Sequence, residues 1–137
     1  MKVLHIDSSI QGDASITRQL TAGTVALIRS GHSHADVVYR DLASNEIRHL
    51  TGAIAAGFRQ TGAPAPDEAT LREHQVSESL VTEFLASDVL VIGAPMYNFS
   101  VSSQLKAWLD RIAQVGRTFK YTENLSLIHI SEPTRPY

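Results

Sequence analysis

The chain has 137 residues, 43% of them hydrophobic, the size of one domain with enough apolar matter for a core. Twelve basic residues against fourteen acidic ones leave a net charge of −2, which gives no electrostatic footprint for nucleic acid or an anionic membrane. The lack of cysteine excludes disulfides, thiolate zinc sites, iron–sulfur clusters and cysteine nucleophiles. With no signal-like N-terminus and no run of about 20 apolar residues, the expected setting is the cytoplasm.

Val3, Leu4 and Ile6 form a short β-prone segment, and the stretch from Asp7 to Ser15 after it is rich in turn and capping residues. Ile16, Leu20, Leu27 and Ile28 recur near helical spacing, with Ser15 as N-cap and Gly31 as stop. Val37, Val38 and Tyr39 read as a second strand, separated from the first by enough chain for a parallel crossover. Ile54 and Phe58 suggest a short helix, interrupted by Gly52, Gly57, Gly62, Pro64 and Pro66.

From Asp67 to Ser87 the pattern is that of an amphipathic helix, with Leu71, Val76, Leu80, Phe84 and Leu85 on one face. Val89 to Ile92 is a continuous apolar run, as expected of a parallel strand buried on both faces. Ser102 to Val115 is again helical through Leu105, Leu109 and Ile112, and Asp110-Arg111 reads as an exposed, solvated pair on it. The alternation predicts a three-layer α/β sandwich around a parallel sheet.

Two loops carry the candidate chemistry. Ser8, Ser9, Ser15 and Thr17 bracket a helix start, where unpaired N–H groups and the helix dipole favour an anion; simple N-capping is the alternative. Neither G-x-G-x-x-G nor G-x-x-x-x-G-K-[ST] is present there, since Gly12 is the only glycine between Met1 and Ala22, and no G-x-S-x-G elbow occurs. The second loop, Pro95-Met96-Tyr97-Asn98-Phe99, follows the apolar strand and offers aromatic faces and an amide, or else only packs over the sheet edge. Together the two loops would flank the crevice where strand order reverses, one binding phosphate and the other a flat ring. The six histidines show no metal-ligand spacing; His32 and His34, the only close pair, lie in a polar turn.

The stretches from Lys2 to Ser9, Ser15-Ile16-Thr17-Arg18, Ala94 to Phe99, and Thr118-Phe119-Lys120-Tyr121-Thr122-Glu123-Asn124 together resemble the FMN-dependent NADH:azoreductases, also described as NADH:quinone oxidoreductases, of the flavodoxin-like superfamily. The resemblance implies a homodimer with FMN in each subunit, NADH as electron donor and a quinone or azo compound as acceptor in a ping-pong cycle. It implies that Ser9, Ser15, Ile16 and Thr17 hold the FMN phosphate, that Met96, Tyr97, Asn98 and Phe99 border the ring, and that Phe119 and Tyr121 contact substrate. No catalytic side chain is implied, because hydride transfer belongs to the flavin. A related NADPH-dependent FMN or quinone reductase, a flavodoxin-like electron-transfer module, and a fragment that binds nothing remain the alternatives.

The resemblance covers residues 1–124, read as the N-terminal part of a flavodoxin-like FMN-binding domain. Leu125 to Arg135 resembles the translation of a transposase adapter, so 125–137 is expected to be a non-native tail. On that reading the later strands of the family order 2-1-3-4-5 and a later loop of the flavin site are missing. Val89–Ile92 becomes an edge strand, and the β-prone stretch from Leu125 to Ile130 is a candidate to pair with it.

Overall fold

The computed structural model describes residues 1–59, 65–121 and 127–129, and of Tyr121 and 127–129 the backbone alone. In chain order the elements are β1 (Lys2–Asp7), α1 (Ile16–Gly31), β2 (Asp36–Asp41), α2 (Gly52–Ala56), α3 (Glu68–Leu85), β3 (Val89–Gly93), α4 (Ser103–Ile112), β4 (Phe119–Tyr121) and β5 (Leu127–His129). They fall into two compact units, Met1–Arg48 with Ala86–Trp108 and His49–Leu85 with Leu109–Tyr137. No helix among the described residues is long and apolar enough to cross a membrane.

The first unit is built on a parallel sheet of order β2-β1-β3, the opening of the expected strand order. β1 runs in register from Lys2↔Asp36 to Asp7↔Asp41 on one side and from Val3↔Val89 to Asp7↔Gly93 on the other. Its Val3, Leu4 and Ile6 are wholly buried, each such side chain contributing about 1.5–3 kcal/mol. β3 pairs with β1 alone among the described residues and is only half-buried, with Leu90 exposed, rather than buried on both faces as its apolar run predicts. An edge strand has one neighbour to shield it, and the edge position is the one expected for Val89–Ile92 if the later strands are missing.

α1 starts where expected: Ser15 Oγ accepts the N–H of Arg18, the N-cap bond that satisfies one orphan donor. Its inward residues are Thr21 and Val25, whereas Ile16, Leu20 and Leu27 point outward and are exposed, against the predicted apolar face. Helical spacing shows which residues share a face but not which face turns inward. Here Thr21 is drawn in by a 2.7 Å hydrogen bond to Asp7 Oδ1, buried at the end of β1.

In the second unit α2 is the short helix expected, with Thr51 as its cap. α3 begins at Asp67, whose carboxylate accepts the N–H of Thr70 at 2.7 Å. Its buried line is Ser77, Leu80 and Val81, while Leu71, Val76 and Leu85 of the predicted face are exposed. The cause is Arg111 of α4, which is wholly buried and not the solvated residue its sequence position suggested. Its Nε donates to Ser77 Oγ at 2.7 Å and its Nη2 to the carbonyl and carboxylate of Glu73 at 2.7 and 3.0 Å, so a polar position on α3 turns inward. β4 and β5 pair antiparallel from Phe119↔His129 to Tyr121↔Leu127. Residues 127–129, a candidate by sequence to pair with β3, thus pair with β4; the rest of 122–137 lies outside the described residues.

Candidate functional site

Because β1 and β3 are parallel neighbours ending at Asp7 and Gly93, the chain leaves the sheet there as two adjacent loops. β2 and β3 flank β1 on opposite sides, so this is the point where strand order reverses, the usual ligand crevice of an open α/β sheet.

The first loop runs from Ser8 to Ser15 and contains a short 3-10 turn at Gly12–Ala14. Gly12 has φ +57°, a conformation that glycine adopts without a Cβ penalty. Ser8 Oγ donates to the Gly93 carbonyl at 2.7 Å and ties the two strand ends together. Ser9 Oγ accepts the N–H of Gln11 at 3.2 Å and lies 3.4 Å from Tyr97 Oη. Ser15 Oγ pairs with Thr17 Oγ1 at 3.0 Å while capping α1. Ser8, Ser9 and Ser15 are buried, Thr17 is half-buried and Ile16 is exposed at the helix mouth.

The second loop is held to the first by Tyr97, whose hydroxyl accepts the Ile10 N–H at 3.1 Å. Tyr97 and Ser100 exchange both backbone hydrogen bonds, at 2.8 and 3.0 Å, so Asn98 and Phe99 form a two-residue turn. Both turn residues have positive φ, +49° and +65°. Asn tolerates this; Phe does not, and a left-handed L-residue costs roughly 1–2 kcal/mol. The strained Phe99 is 96% exposed and Met96 72%, so two large apolar side chains stand out from the loop with little of their surface covered.

Behind the first loop lies a polar cluster that sequence reasoning missed. Arg18 forms a fork with Asp41, Nη2 to Oδ1 at 2.9 Å and Nη1 to Oδ2 at 3.0 Å. Tyr39 Oη donates to Asp7 Oδ2 at 3.0 Å, and His5 Nε2 stands 3.4 Å from the same oxygen with its ring edge-on to Tyr39. The Arg18 bond holds the Asp41 carboxyl well below the usual carboxylate range, and Asp41 in turn raises the Arg18 guanidinium. Desolvation, and then the hydrogen bond to Asp7, push the Tyr39 phenol up to about 12. The available signal was positional: Asp7 and Asp41 end neighbouring apolar strands, where a carboxylate must find a partner.

The first unit therefore joins Ser9 to Tyr97 of the 96–99 turn and holds Ser15, Ile16 and Thr17 at the far end of the same loop. Phe119 begins β4 in the second unit and is half-buried; the side chain of Tyr121 lies outside the described residues.

A family model described as the flavodoxin-like fold matches residues 1–129. An FMN-dependent NADH:quinone oxidoreductase of Ralstonia nicotianae is 66% identical over 123 residues, 90% of this chain and 59% of that protein. One from Xanthomonas euvesicatoria pv. vesicatoria is 60% identical over 124 residues, 90% of this chain and 57% of that protein. The chain thus spans about three-fifths of the length of the curated relatives it matches. Among solved structures, an FMN-dependent NADH-azoreductase from Bacillus anthracis str. Ames Ancestor in complex with FMN has a TM-score of 0.83 at 17% identity, covering 98% of this chain and 65% of that one. An azoreductase from Bacillus anthracis str. Sterne gives 0.81 at 23% identity, covering 93% and 62%. At such identities the likeness is one of fold, an α/β fold with the parallel sheet found here. By the match across residues 1–129, this chain belongs to the flavodoxin-like fold family.

Proposed function

We propose that residues 1–124 form the N-terminal part of an FMN-binding domain, and that the protein to which they belong is an NADH-dependent quinone or azo reductase. The observation that carries the reading is the adjacency, at paired strand ends, of a hydroxyl-rich helix start and a strained aromatic turn. The identity of 66% to a relative named for this activity supports it.

The donor set fits a flavin phosphate. The hydroxyls of Ser9, Ser15 and Thr17 and the first free amides of α1, at Ile16 and Thr17, all belong to one loop and helix start, where the helix dipole adds roughly 0.3–1 kcal/mol for an anion. Asp13 is the one carboxylate between Ser8 and Thr17, and it is exposed. Met96, Tyr97, Asn98 and Phe99 offer two apolar side chains and an amide against an aromatic ring. Bound there, FMN supplies the hydride exchange between NADH and the acceptor, and the side chains orient it and exclude competing reactions. Phe119 and Tyr121 are assigned to the acceptor side, and the complete protein is assigned as a cytoplasmic homodimer.

The test is titration of FMN into the purified chain, followed by flavin fluorescence, with NADH oxidation by a quinone acceptor measured on a version of full family length. Saturable quenching and quinone-dependent NADH oxidation are expected. An absence of quenching by the chain overturns the FMN reading, and inactivity of the long version overturns the assigned reaction.

A further inference from the structure

Arg18 grips both ends of the Ser9–Ser15 loop. Its backbone N–H donates to Ser15 Oγ at 3.2 Å, and its Nη2 donates to the carbonyl oxygen of Ser9 at 2.7 Å. One residue in the first turn of α1 therefore sets where the loop begins and where it ends.

Four of the guanidinium's five N–H donors are committed to protein acceptors. Its two Nη1 hydrogens are taken by Asp41 Oδ2 at 3.0 Å and Tyr39 Oη at 3.2 Å, and its two Nη2 hydrogens by Asp41 Oδ1 at 2.9 Å and Ser9 O. Nε is buried and has no hydrogen-bond partner among the described residues. An arginine beside an anion loop would ordinarily be read as a phosphate ligand. Here all four Nη donors are spent on the protein, so an Nη contact to phosphate would have to displace Asp41, Tyr39 or the Ser9 carbonyl. Asp41 is itself pinned, accepting the N–H of Ala43 at 3.0 Å and the hydroxyl of Ser44 at 3.0 Å. The fork is thereby anchored to the end of β2 and is not a loose surface pair.

Charge points the same way. Arg18 faces two carboxylates, forked to Asp41 and 3.9 Å from Asp7 Oδ2. Without it Asp41 would keep only the bonds from Ala43 and Ser44, and Asp7 those from Thr21 and Tyr39 beside His5, so no arginine would stand between two carboxylates and a dianion held in the loop.

We propose that Arg18 is the positioning residue of the anion loop: through the Ser9 carbonyl and the Ser15 cap it holds the loop's hydroxyls and amides in binding geometry, and through Asp41 it cancels the negative charge behind them. The proposal rests on the FMN reading and adds a consequence that reading lacks. Arg18 governs recognition of the phosphate end of the ligand and leaves recognition of the ring to the 96–99 turn.

Riboflavin, which has the ring without the phosphate, separates the two. The affinities of FMN and riboflavin are measured by fluorescence quenching for the wild-type chain, Arg18→Gln and Arg18→Lys, with circular dichroism to verify folding. The wild type binds FMN more tightly than riboflavin. Arg18→Gln lowers FMN affinity about tenfold or more, the scale of a lost charge-assisted bond, and leaves riboflavin binding unchanged. Arg18→Lys keeps the charge but cannot bridge Ser9 and Asp41 in a planar fork, and gives an intermediate FMN-to-riboflavin ratio. An unchanged ratio in Arg18→Gln overturns the proposal, as does an equal loss of both ligands, which would mark a merely structural role. If Arg18→Gln does not fold, Arg18→Lys decides, and a wild-type ratio there overturns it. A wild-type chain that binds neither flavin overturns the FMN reading itself, a different and recognisable result.

Discussion

Gly93 faces the buried carboxylate of Asp7 across the β1–β3 register with no room for a side chain: a methyl group at position 93 would stand 2.9 Å from Asp7 Oδ1 and 3.2 Å from Thr21 Cγ2. The glycine that ends β3 thus sets the closeness of the two loops. Gly93→Ala is expected to destabilise the chain by about 1–3 kcal/mol, the usual cost of overpacking. A lowered urea midpoint at constant m-value checks it.

Phe99 stores strain at an exposed turn position, φ +65° with 96% of its surface accessible. Glycine there relieves roughly 1–2 kcal/mol of left-handed strain and costs about 0.5–1 kcal/mol of added unfolded-state freedom. Phe99→Gly should therefore hold or raise Tm while weakening flavin binding. Unchanged flavin binding would remove Phe99 from the ring site, and a lowered Tm would show that the left-handed turn is not strained.

Arg111 joins α3 to α4 through Ser77 and Glu73 with no exposed surface of its own. Arg111→Ala strands the Glu73 carboxylate and a buried hydroxyl, and is expected to cost about 3–5 kcal/mol. In Arg111→Met the stem volume is retained, and combining it with Glu73→Gln should recover part of the loss. Chemical denaturation of the two variants gives the comparison.

Tyr39 makes the chain's stability depend on alkaline pH, weakly because half of its surface is open to solvent. Its phenol is pushed up to about 12 by desolvation and the bond to Asp7, so the folded state keeps a proton that the unfolded chain loses near pH 10. Its contribution is complete below about pH 10 and is lost as pH rises toward 12. Tyr39→Phe should flatten the fall of unfolding free energy between about pH 10 and 12, as read by urea melts at several pH values. An unchanged slope would remove Tyr39 as the cause.

Much of the fold was legible because it is written locally. Ser15 caps α1, Asp67 caps α3, and the apolar runs at Val3 and Val89 do form strands. The pairing of the serine loop with the 96–99 turn was legible too, because parallel strands bring their ends together wherever the helices lie. Hidden from the sequence was whatever a distant partner decides. Leu20 and Leu27 turn outward because Asp7 claims Thr21, and Arg111 turns inward because Ser77 and Glu73 await it. Arg18 stood within a recognised motif, yet its role depends on Asp41 at the end of another strand.

The doubly paired position of β1 also has a kinetic meaning. Lys2 N–H reaches Asp88 across 86 positions of chain, whereas β1 meets β2 after a single crossover helix. During synthesis the β1–α1–β2 piece can assemble early, but the other flank of β1 must stay open until β3 emerges. Closure of so distant a pair is entropically slow. The strand that is most protected in the finished molecule is thus exposed for longest while the molecule is being made.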